Sequence, residues 1–292
     1  MLLNILLVLL LNINKPNDLG NGYLLNILTP NIKENQSIGV KISAKSGIVV
    51  NGETDEVLFG KNENESMPIA SISKLMAALV FLDFNPGWDK EMTIIPDDHR
   101  IGGMLYVSPG EVVTVKDLFY TSLVGSANNA TIALARSTGM SLEEFAGKMN
   151  EKAKELIMEK AFFEEPTGLS ENNVATAKEV AILANAAYGN EHIKKALQTN
   201  EHIFYTVDKK RIHKIKNTDK LLGSFLNEGD YSIIGAKTGY IEEAMYCLAV
   251  GVEDKNKNSV ISVILGSNTP EERFQEAKSM AWWALTRNHE NN

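Results

Sequence analysis

A serine and a lysine three residues apart form the first group of side chains in this sequence that could do chemistry. Ser71 and Lys74 belong to a Ser-x-x-Lys motif in the segment 71–84, whose apolar composition predicts a buried helix, so the two side chains lie one turn apart on one face. If Ser71 begins this helix, the positive end of the helix dipole stabilises the alkoxide formed when the hydroxyl loses its proton. A lysine made less basic by burial and by a neighbouring cation can accept that proton. The motif predicts a serine nucleophile, Ser71, and a lysine general base, Lys74.

A second polar pair precedes an apolar helical run further along the chain. Ser126 and Asn128 lie just before residues 130–135. The hydroxyl of Ser126 is suited to relay a proton to a leaving amine, and the amide of Asn128 is suited to hold an amide group of a substrate. We therefore expect Ser126 to be catalytic and Asn128 to bind substrate.

The third motif is a Lys-Thr-Gly at the end of a predicted strand. The charge of Lys237 and the hydroxyl of Thr238 can bind a substrate carboxylate. Gly239 lets a substrate backbone lie close against the strand. The backbone N–H groups of Tyr240 and Ser71 are then placed to form an oxyanion hole.

The order of the three motifs makes their combination specific, because each motif alone is a weak signal. A second Lys-Ser-Gly occurs at 45–47, but it precedes the nucleophile and enters an early hairpin. A second Ser-x-Asn occurs at 170–172, but no strongly apolar helix starts on it. Ser71 to Lys74 is the only Ser-x-x-Lys in the chain.

Periodicity and turn residues predict the elements that must position these motifs. Strand-like runs at 47–50 and 56–59 flank the turn dipeptide Asn51-Gly52 and predict a hairpin. Residues 115–188 have a mostly helical pattern, with capping boxes starting at Ser141 and Thr176. Three strand-like runs come next, at 231–237, 245–252 and 260–265, and then a final helix that opens with Thr269 as its cap and Pro270 at its first position. This order predicts one sheet built from both ends of the chain, with a helical subdomain inserted between.

The sequence resembles the D-alanyl-D-alanine carboxypeptidase family of low-molecular-mass penicillin-binding proteins, from about Ser43 to the C-terminal helix. The motif order itself is shared by penicillin-binding proteins and class A β-lactamases. The other matching segments surround the motifs and are Pro68 to Met76, Val107 to Val115, Asp117-Leu118, Gly125 to Asn128, Met149-Asn150, Thr167 to Leu169, Thr176-Ala177, Asn217 with Leu221-Leu222, Gly235 to Tyr240, and Cys247-Leu248.

This resemblance implies both a fold and a chemistry. The implied fold is α/β (α+β): an antiparallel β-sheet flanked by helices, with an inserted all-helical subdomain at roughly residues 85–230. The implied chemistry is that of a serine D,D-peptidase, which acts through an acyl-enzyme on peptidoglycan stem peptides and is covalently inhibited by β-lactams. A domain from 37 to 288 would carry this activity.

The chain departs from the family pattern at several positions without losing a reacting group. Asn129 stands where Asp is usual, Asp219 where Asn is usual, Ile241 where Thr often follows, and Met245 where Gly is common. These departures bear on substrate preference rather than on chemistry. The chain also ends soon after the closing helix, so we expect no C-terminal β domain, which leaves the shorter D-alanyl-D-alanine endopeptidases open as an alternative.

A class A β-lactamase and an inactive wall-binding relative each make a different demand on the sequence. The β-lactamase needs a deacylating glutamate in a Glu-x-x-x-Asn pattern between the second and third motifs. Glu165 is a partial match, but Leu169 occupies the fourth position after it. The inactive relative is disfavoured because every reacting side chain is present.

Composition excludes several classes of function. The net charge is −8, and no cluster of Lys and Arg interleaved with aromatics exists, so nucleic-acid binding is not expected. The single cysteine, Cys247, lies in an apolar run and is predicted to be a buried small hydrophobe. No histidine or cysteine spacing indicates a metal site, and we expect no cofactor.

The N-terminal 36 residues form an apolar segment followed by a linker rich in Asn, Pro and Gly. Residues 2–13 are nearly all Leu, Ile and Val, a length that suits the apolar region of a secretory signal and is too short to span a bilayer. We expect an export signal or an uncleaved membrane anchor here, and an extracytoplasmic location facing the cell wall.

Overall fold

The computed structural model describes residues 40–100 and 102–288. Its strands are β1 (Ser46–Asn51), β2 (Val57–Lys61), β3 (Ser66–Pro68), β4 (Glu91–Thr93), β5 (Val112–Thr114), β6 (Val174–Thr176), β7 (Glu201–Tyr205), β8 (Ile212–Lys216), β9 (Tyr231–Ile241), β10 (Met245–Asp254) and β11 (Ser259–Ser267). Its α-helices are α1 (Ser73–Asp83), α2 (Val115–Val124), α3 (Asn128–Ser137), α4 (Leu142–Glu155), α5 (Ala177–Tyr188), α6 (Glu191–Leu197) and α7 (Pro270–Asn288). The apolar N-terminal segment and the domain boundary predicted at residue 37 lie outside the described residues.

The main sheet has five antiparallel strands in the order β2–β1–β11–β10–β9. Strands β1 and β2 form the hairpin predicted around Asn51-Gly52. Strand β1 also pairs with β11, which places Ile48 opposite Val263. Strands from both ends of the chain therefore share one sheet, and the predicted fold class is confirmed.

Both faces of this sheet are apolar and covered by helices. On β10, Cys247 and Ala249 belong to the core on the side of α1 and α5, whereas Leu248 and Val250 belong to the core beneath α7. This alternation follows from the two-residue period of a strand. Cys247 is buried and forms no disulfide, as its apolar surroundings predicted.

The inserted region differs from the prediction in one detail, because it is not wholly helical. Helices α2 to α6 dominate it, but β4 pairs with β5 and β7 pairs with β8 as short antiparallel ladders. Strand β6 lies within the inserted region but pairs with β3, which precedes that region. Strands β4 and β5 have only three residues each, which is too short to show a two-residue period, so the sequence did not predict this pair.

The predicted helix starts are confirmed by their hydrogen bonds. The hydroxyl of Ser141 accepts a bond from the N–H of Glu144 at 3.1 Å, and the Glu144 carboxylate accepts one from the N–H of Ser141 at 2.8 Å. Thr176 caps α5 in the same reciprocal way. The hydroxyl of Thr269 accepts from the N–H of Glu272 at 3.1 Å at the start of α7.

Helix α1 begins at Ser73, two residues later than the sequence suggested. Ser71 lies instead in a 3-10 turn, Ala70–Ile72, that runs directly into α1. The predicted nucleophile therefore remains at the N-terminal end of the helix but outside its first α-helical turn.

A buried carboxylate caps the 3-10 turn Lys220–Gly223. Oδ1 of Asp219 accepts a hydrogen bond from the N–H of Leu221 at 2.8 Å, whereas Oδ2 is buried and accepts none from any described residue. Burial raises the pKa of Asp219 from 3.8 to about 6, against the Leu221 hydrogen bond and the charge of Arg273. Because the folded state holds this proton more tightly than the unfolded state, the stability contributed by Asp219 falls as the pH rises through that window.

Replacing Asp219 with Asn should therefore stabilise the protein more at neutral than at acidic pH. The stabilisation at pH 7.5 should exceed that at pH 4.5 by about 2 kcal/mol, since any effect of the amide itself does not depend on pH. Urea unfolding at both pH values measures this difference. The exposed substitution Asp89→Asn serves as the control for losing one negative charge, and an equal or smaller gain at pH 7.5 would contradict the prediction.

Candidate active site

The predicted nucleophile lies in a strained turn that leads into α1. Ala70 has a φ of +48°, a left-handed conformation that is costly for a residue with a side chain. The turn that follows brings Ser71 Oγ to 2.8 Å from Lys74 Nζ. Ser71 is partly exposed, whereas Lys74 is completely buried, so the hydroxyl can be reached by a substrate and the amine is shielded from water.

Burial gives Lys74 the properties of a base. Nζ of Lys74 lies 2.7 Å from Asn128 Oδ1 and 2.6 Å from the Thr167 carbonyl oxygen, in addition to Ser71 Oγ. Burial lowers the pKa of Lys74 from 10.5 to about 7, partly opposed by the charge of Glu165. A large fraction of this lysine is therefore neutral at neutral pH, as a general base requires.

The three partners of Lys74 also decide where its lone pair points. The carbonyl oxygens of Asn128 and Thr167 can only accept hydrogen bonds. A neutral amine has two N–H groups, and both are needed by these acceptors. Its lone pair is then left for the hydroxyl of Ser71, which is the only one of the three partners with a proton to donate.

Ser126 and Asn128 lie at the three-residue connection between α2 and α3. Ser126 has a φ of +56°, so this connection is also strained. Asn128 uses Oδ1 to accept from Lys74 and Nδ2 to donate to the Gly102 carbonyl at 2.7 Å. Both functions of the Asn128 amide are thus used within the protein, and its predicted role in holding a substrate amide stays a prediction.

Lys237 joins the second and third motifs. Its Nζ donates to Ser126 Oγ at 2.7 Å and to the Thr238 carbonyl at 3.0 Å. The hydroxyl of Thr238 donates to Thr218 Oγ1 at 2.9 Å. In this structure the Ser126 hydroxyl is therefore bound by Lys237, not by Lys74.

The two buried amines influence each other through their charges. Burial first, and then the positive charges of Lys74 and Arg273, hold the pKa of Lys237 well below its usual range. Burial is the main cause of the low Lys74 pKa, and the repulsion between the two amines, which acts on both, disfavours the state in which both are charged. A carboxylate bound beside Lys237 would favour its charged form again.

Strand β9 lies directly against the turn that carries the nucleophile. A Cβ atom on Gly239 would come within 2.9 Å of the Ile69 carbonyl oxygen and 3.3 Å of the Ser71 nitrogen, so a glycine is what permits this approach. The closeness supports the predicted oxyanion hole between the N–H groups of Ser71 and Tyr240. The Tyr240 ring is exposed and stacks on Tyr246 with ring centroids 4.5 Å apart.

The structure thus gathers all three motifs in one place, together with a loop that none of the motifs includes. This loop, residues 164–170, supplies the Thr167 carbonyl bound to Lys74. A Cβ on Gly168, whose φ is +81°, would lie 1.9 Å from the Ala70 carbonyl oxygen. The buried side chain of Asn173 ties the loop to α1 through a 3.0 Å bond from Nδ2 to Ser73 Oγ. A backbone carbonyl has no side-chain signature, so only the resemblance at Thr167 to Leu169 pointed here.

The carboxylate of Glu165 is directed into this loop. Thr167 donates to it from its N–H at 2.7 Å and from its hydroxyl at 2.6 Å, and the N–H of Leu169 donates at 2.8 Å. A carboxylate bound in this way is not free to hold a water molecule against an acyl group on Ser71. The geometry therefore argues against the class A β-lactamase alternative.

Arg273 on α7 is a further residue of the site that the sequence did not reveal. Its Nη1 donates to the Gly239 carbonyl at 2.9 Å, and its guanidinium lies 5.4 Å from the centroid of the Tyr246 ring. It adds a positive charge beside the Lys-Thr-Gly strand. A single arginine in the first turn of a helix carries no motif, so only the tertiary structure reveals it.

No group of three or more metal-ligating side chains occurs within the residues that the structure describes.

A family model described as D-alanyl-D-alanine carboxypeptidase matches residues 31–269. The D-alanyl-D-alanine carboxypeptidase DacF of Bacillus subtilis is 33% identical over 253 residues, which are 83% of this chain and 62% of that protein. The chain thus spans less than two thirds of this relative. A D-alanyl-D-alanine endopeptidase of Haemophilus influenzae is also 33% identical, over 77% of this chain and 76% of that protein.

The fold of this chain is also similar to that of solved structures. The Streptomyces K15 DD-transpeptidase superimposes with a TM-score of 0.78 at 26% sequence identity, covering 86% of this chain and 100% of that one.

Proposed function

Because the chain belongs to the D-alanyl-D-alanine carboxypeptidase family, we propose that it is a serine D,D-peptidase that cleaves D-alanyl-D-alanine bonds in peptidoglycan stem peptides. The observation that carries the proposal is the 2.8 Å contact between Ser71 Oγ and the buried amine of Lys74, whose pKa is lowered to about 7. A serine beside a lysine that can be neutral at physiological pH is an activated nucleophile.

The proposed reaction begins with proton transfer from Ser71 to Lys74. The serine oxygen attacks the carbonyl carbon of the penultimate D-alanine, and the N–H groups of Ser71 and Tyr240 stabilise the oxyanion. The proton held by Lys74 then reaches the nitrogen of the leaving D-alanine by way of the Ser126 hydroxyl as the peptide bond breaks, so that Lys74 is neutral again. Water hydrolyses the ester on Ser71 and regenerates the hydroxyl.

The terminal carboxylate of the substrate is assigned to the third motif. Lys237 would supply a charge and Thr238 a hydroxyl, with the guanidinium of Arg273 adding positive potential from behind the strand. Burial and neighbouring cations disfavour the charged form of Lys237, and the negative charge of a carboxylate bound beside it would raise its pKa again. This arrangement supports carboxypeptidase action on a free C-terminus.

Endopeptidase action on cross-links is the second candidate. It is favoured by the relatives named D-alanyl-D-alanine endopeptidase, which match 77–84% of this chain. The same acyl-enzyme chemistry serves both activities, since they differ only in the leaving group released from the scissile bond. β-Lactams, which acylate the same serine in this mechanism, are the proposed covalent inhibitors.

We place this activity outside the cytoplasmic membrane, where peptidoglycan lies. Attachment through the apolar residues 2–13 stays a proposal based on composition. Among residues 40–100 and 102–288, no helix is long and apolar enough to cross a membrane.

Incubation with benzylpenicillin should add one adduct to the protein, on the peptide that contains Ser71. Intact mass measurement followed by peptide mapping checks this outcome, and Ser71→Ala should remove the adduct while Ser170→Ala, in the second Ser-x-Asn, should keep it. An unchanged mass, or an adduct that survives Ser71→Ala, would refute the assignment. Mass analysis of a peptidoglycan digest then separates released D-alanine from cleaved cross-links.

Replacing Lys74 with Arg should slow acylation about 10²–10⁴-fold, because a guanidinium keeps the charge but cannot act as a base. In the wild type the acylation rate should rise with pH through about 7, as Lys74 becomes neutral. Stopped-flow kinetics with a chromogenic β-lactam measures both effects. Lys178→Arg, on the surface of α5, is the matched control, and any single His→Ala change should leave most of the rate. A folded Lys74→Arg protein that acylates within a few-fold of wild type would overturn the mechanism.

Replacing Lys237 with Ala should lower kcat/KM about ten- to a hundredfold for a peptide ending in a free carboxylate, because a charge-assisted bond worth about 1.5–3 kcal/mol is lost. The same peptide amidated at its C-terminus provides the comparison. Steady-state release of D-alanine and of D-alaninamide gives the two values. An equal loss on both substrates would mean that Lys237 does not bind the carboxylate.

A further inference from the structure

Glu165 has a pattern of hydrogen bonds that the proposed reaction does not explain. Its carboxylate accepts from the backbone N–H groups of residues 167–170 and from the Thr167 hydroxyl. The two oxygens divide these donors: Oε2 holds both groups of Thr167, and Oε1 holds the N–H groups of residues 168–170. One side chain therefore organises the backbone of the whole loop.

The loop that Glu165 organises contacts the amine of Lys74. Thr167, whose N–H and hydroxyl are both bound to Glu165, presents its carbonyl oxygen 2.6 Å from Lys74 Nζ. The same carbonyl lies 3.5 Å from Ser71 Oγ. Glu165 also acts on the amine at a distance, since its negative charge favours the ammonium form of Lys74.

We propose that Glu165 is a positioning residue that fixes the Thr167 carbonyl against Lys74, and so aims the lone pair of the amine at Ser71. The inference rests on the proposed function, because it concerns the base of that reaction. Without the carbonyl, one N–H of the neutral amine has no acceptor, and the amine can rotate so that its lone pair leaves the hydroxyl. The charge of Glu165 has a second effect, which is to set the pH at which Lys74 becomes a base.

The two effects can be separated by substitutions that change charge and length independently. Glu165→Gln keeps the length and loses the charge. Its amide nitrogen must face N–H donors on one side of the loop, so the Thr167 carbonyl is held less firmly. Glu165→Asp keeps the charge but is one methylene shorter, so it cannot reach the same donors.

The neighbouring Glu164 provides a matched control within the same loop. It is exposed, and its carboxylate binds the side chains of Ser170 and Asn172 rather than the backbone beside Lys74. Glu164→Gln removes the same charge one residue away and leaves the Thr167 carbonyl in place.

The decisive measurement is the pKa of Lys74, followed by NMR in protein labelled at the lysine side chains and assigned with Lys74→Arg. In Glu165→Gln the Lys74 pKa should fall, since an attractive charge has been removed, and in Glu164→Gln it should stay within error of the wild type. This readout does not need a reaction. If the wild-type protein fails to acylate, the proposed function fails by itself while the pKa comparison still stands.

The acylation rate then tests the positioning effect. At high pH, where Lys74 is neutral in every variant, Glu165→Gln and Glu165→Asp should both acylate about tenfold more slowly than wild type, the loss expected when one hydrogen bond that holds a reacting group is broken. Glu164→Gln should stay within twofold. In Glu165→Gln the acidic limb of the profile should move to lower pH, following the Lys74 pKa.

Three results would overturn the inference. The first is a Lys74 pKa that does not change in Glu165→Gln, and the second is a shift of the same size in Glu164→Gln. The third is acylation at the wild-type rate in Glu165→Asp, which also decides the question if Glu165→Gln does not fold. Thermal unfolding of each variant, compared with wild type, separates a loosened loop from a loss of the fold.

Discussion

The burial of one amine, that of Lys74, is the constraint on which the rest of this site depends. An ammonium ion loses its hydration when it enters the protein interior, so burial favours the neutral amine and the group becomes a base near neutral pH. The free-energy cost of burying this amine is limited because Nζ has three hydrogen-bond partners, two carbonyl oxygens and one hydroxyl. These three partners come from three separate segments of the chain. The site therefore exists only when the turn before α1, the start of α3 and the loop 164–170 are held together.

Strain is concentrated in the backbone that brings these segments together. Ala70, immediately before the first motif, adopts a left-handed conformation, and so does Ser126 within the second motif. Gly168 meets the Ala70 carbonyl so closely that no side chain fits between them. The surrounding core opposes relaxation, since Ile69, Ile72 and Leu75 are fully buried on either side of Ser71. Packing thus holds the reacting groups in positions that local backbone preferences alone would not choose.

Side-chain patterns in the sequence predicted much of this arrangement. Most of the features that they missed depend on where the backbone lies in the folded structure. The capping boxes at Ser141 and Thr176 and the turn at Asn51-Gly52 are local signals, and each marked its element correctly. The Thr167 carbonyl left no such signal, because any residue supplies a carbonyl. Arg273 could not be found from sequence either, since it reaches the site only through the packing of α7 on the sheet.

The pairing of β1 with β11 has a consequence for the order in which the protein can fold. Ile48 meets Val263 across this pair, so the partners are about 215 residues apart along the chain. Contacts between such distant residues bring the largest loop-closure entropy and form late. As the chain leaves the ribosome, β1 can pair only with β2, and an isolated two-stranded hairpin is marginally stable at best. The sheet that supports the site can be completed only after the chain has been synthesised through β11.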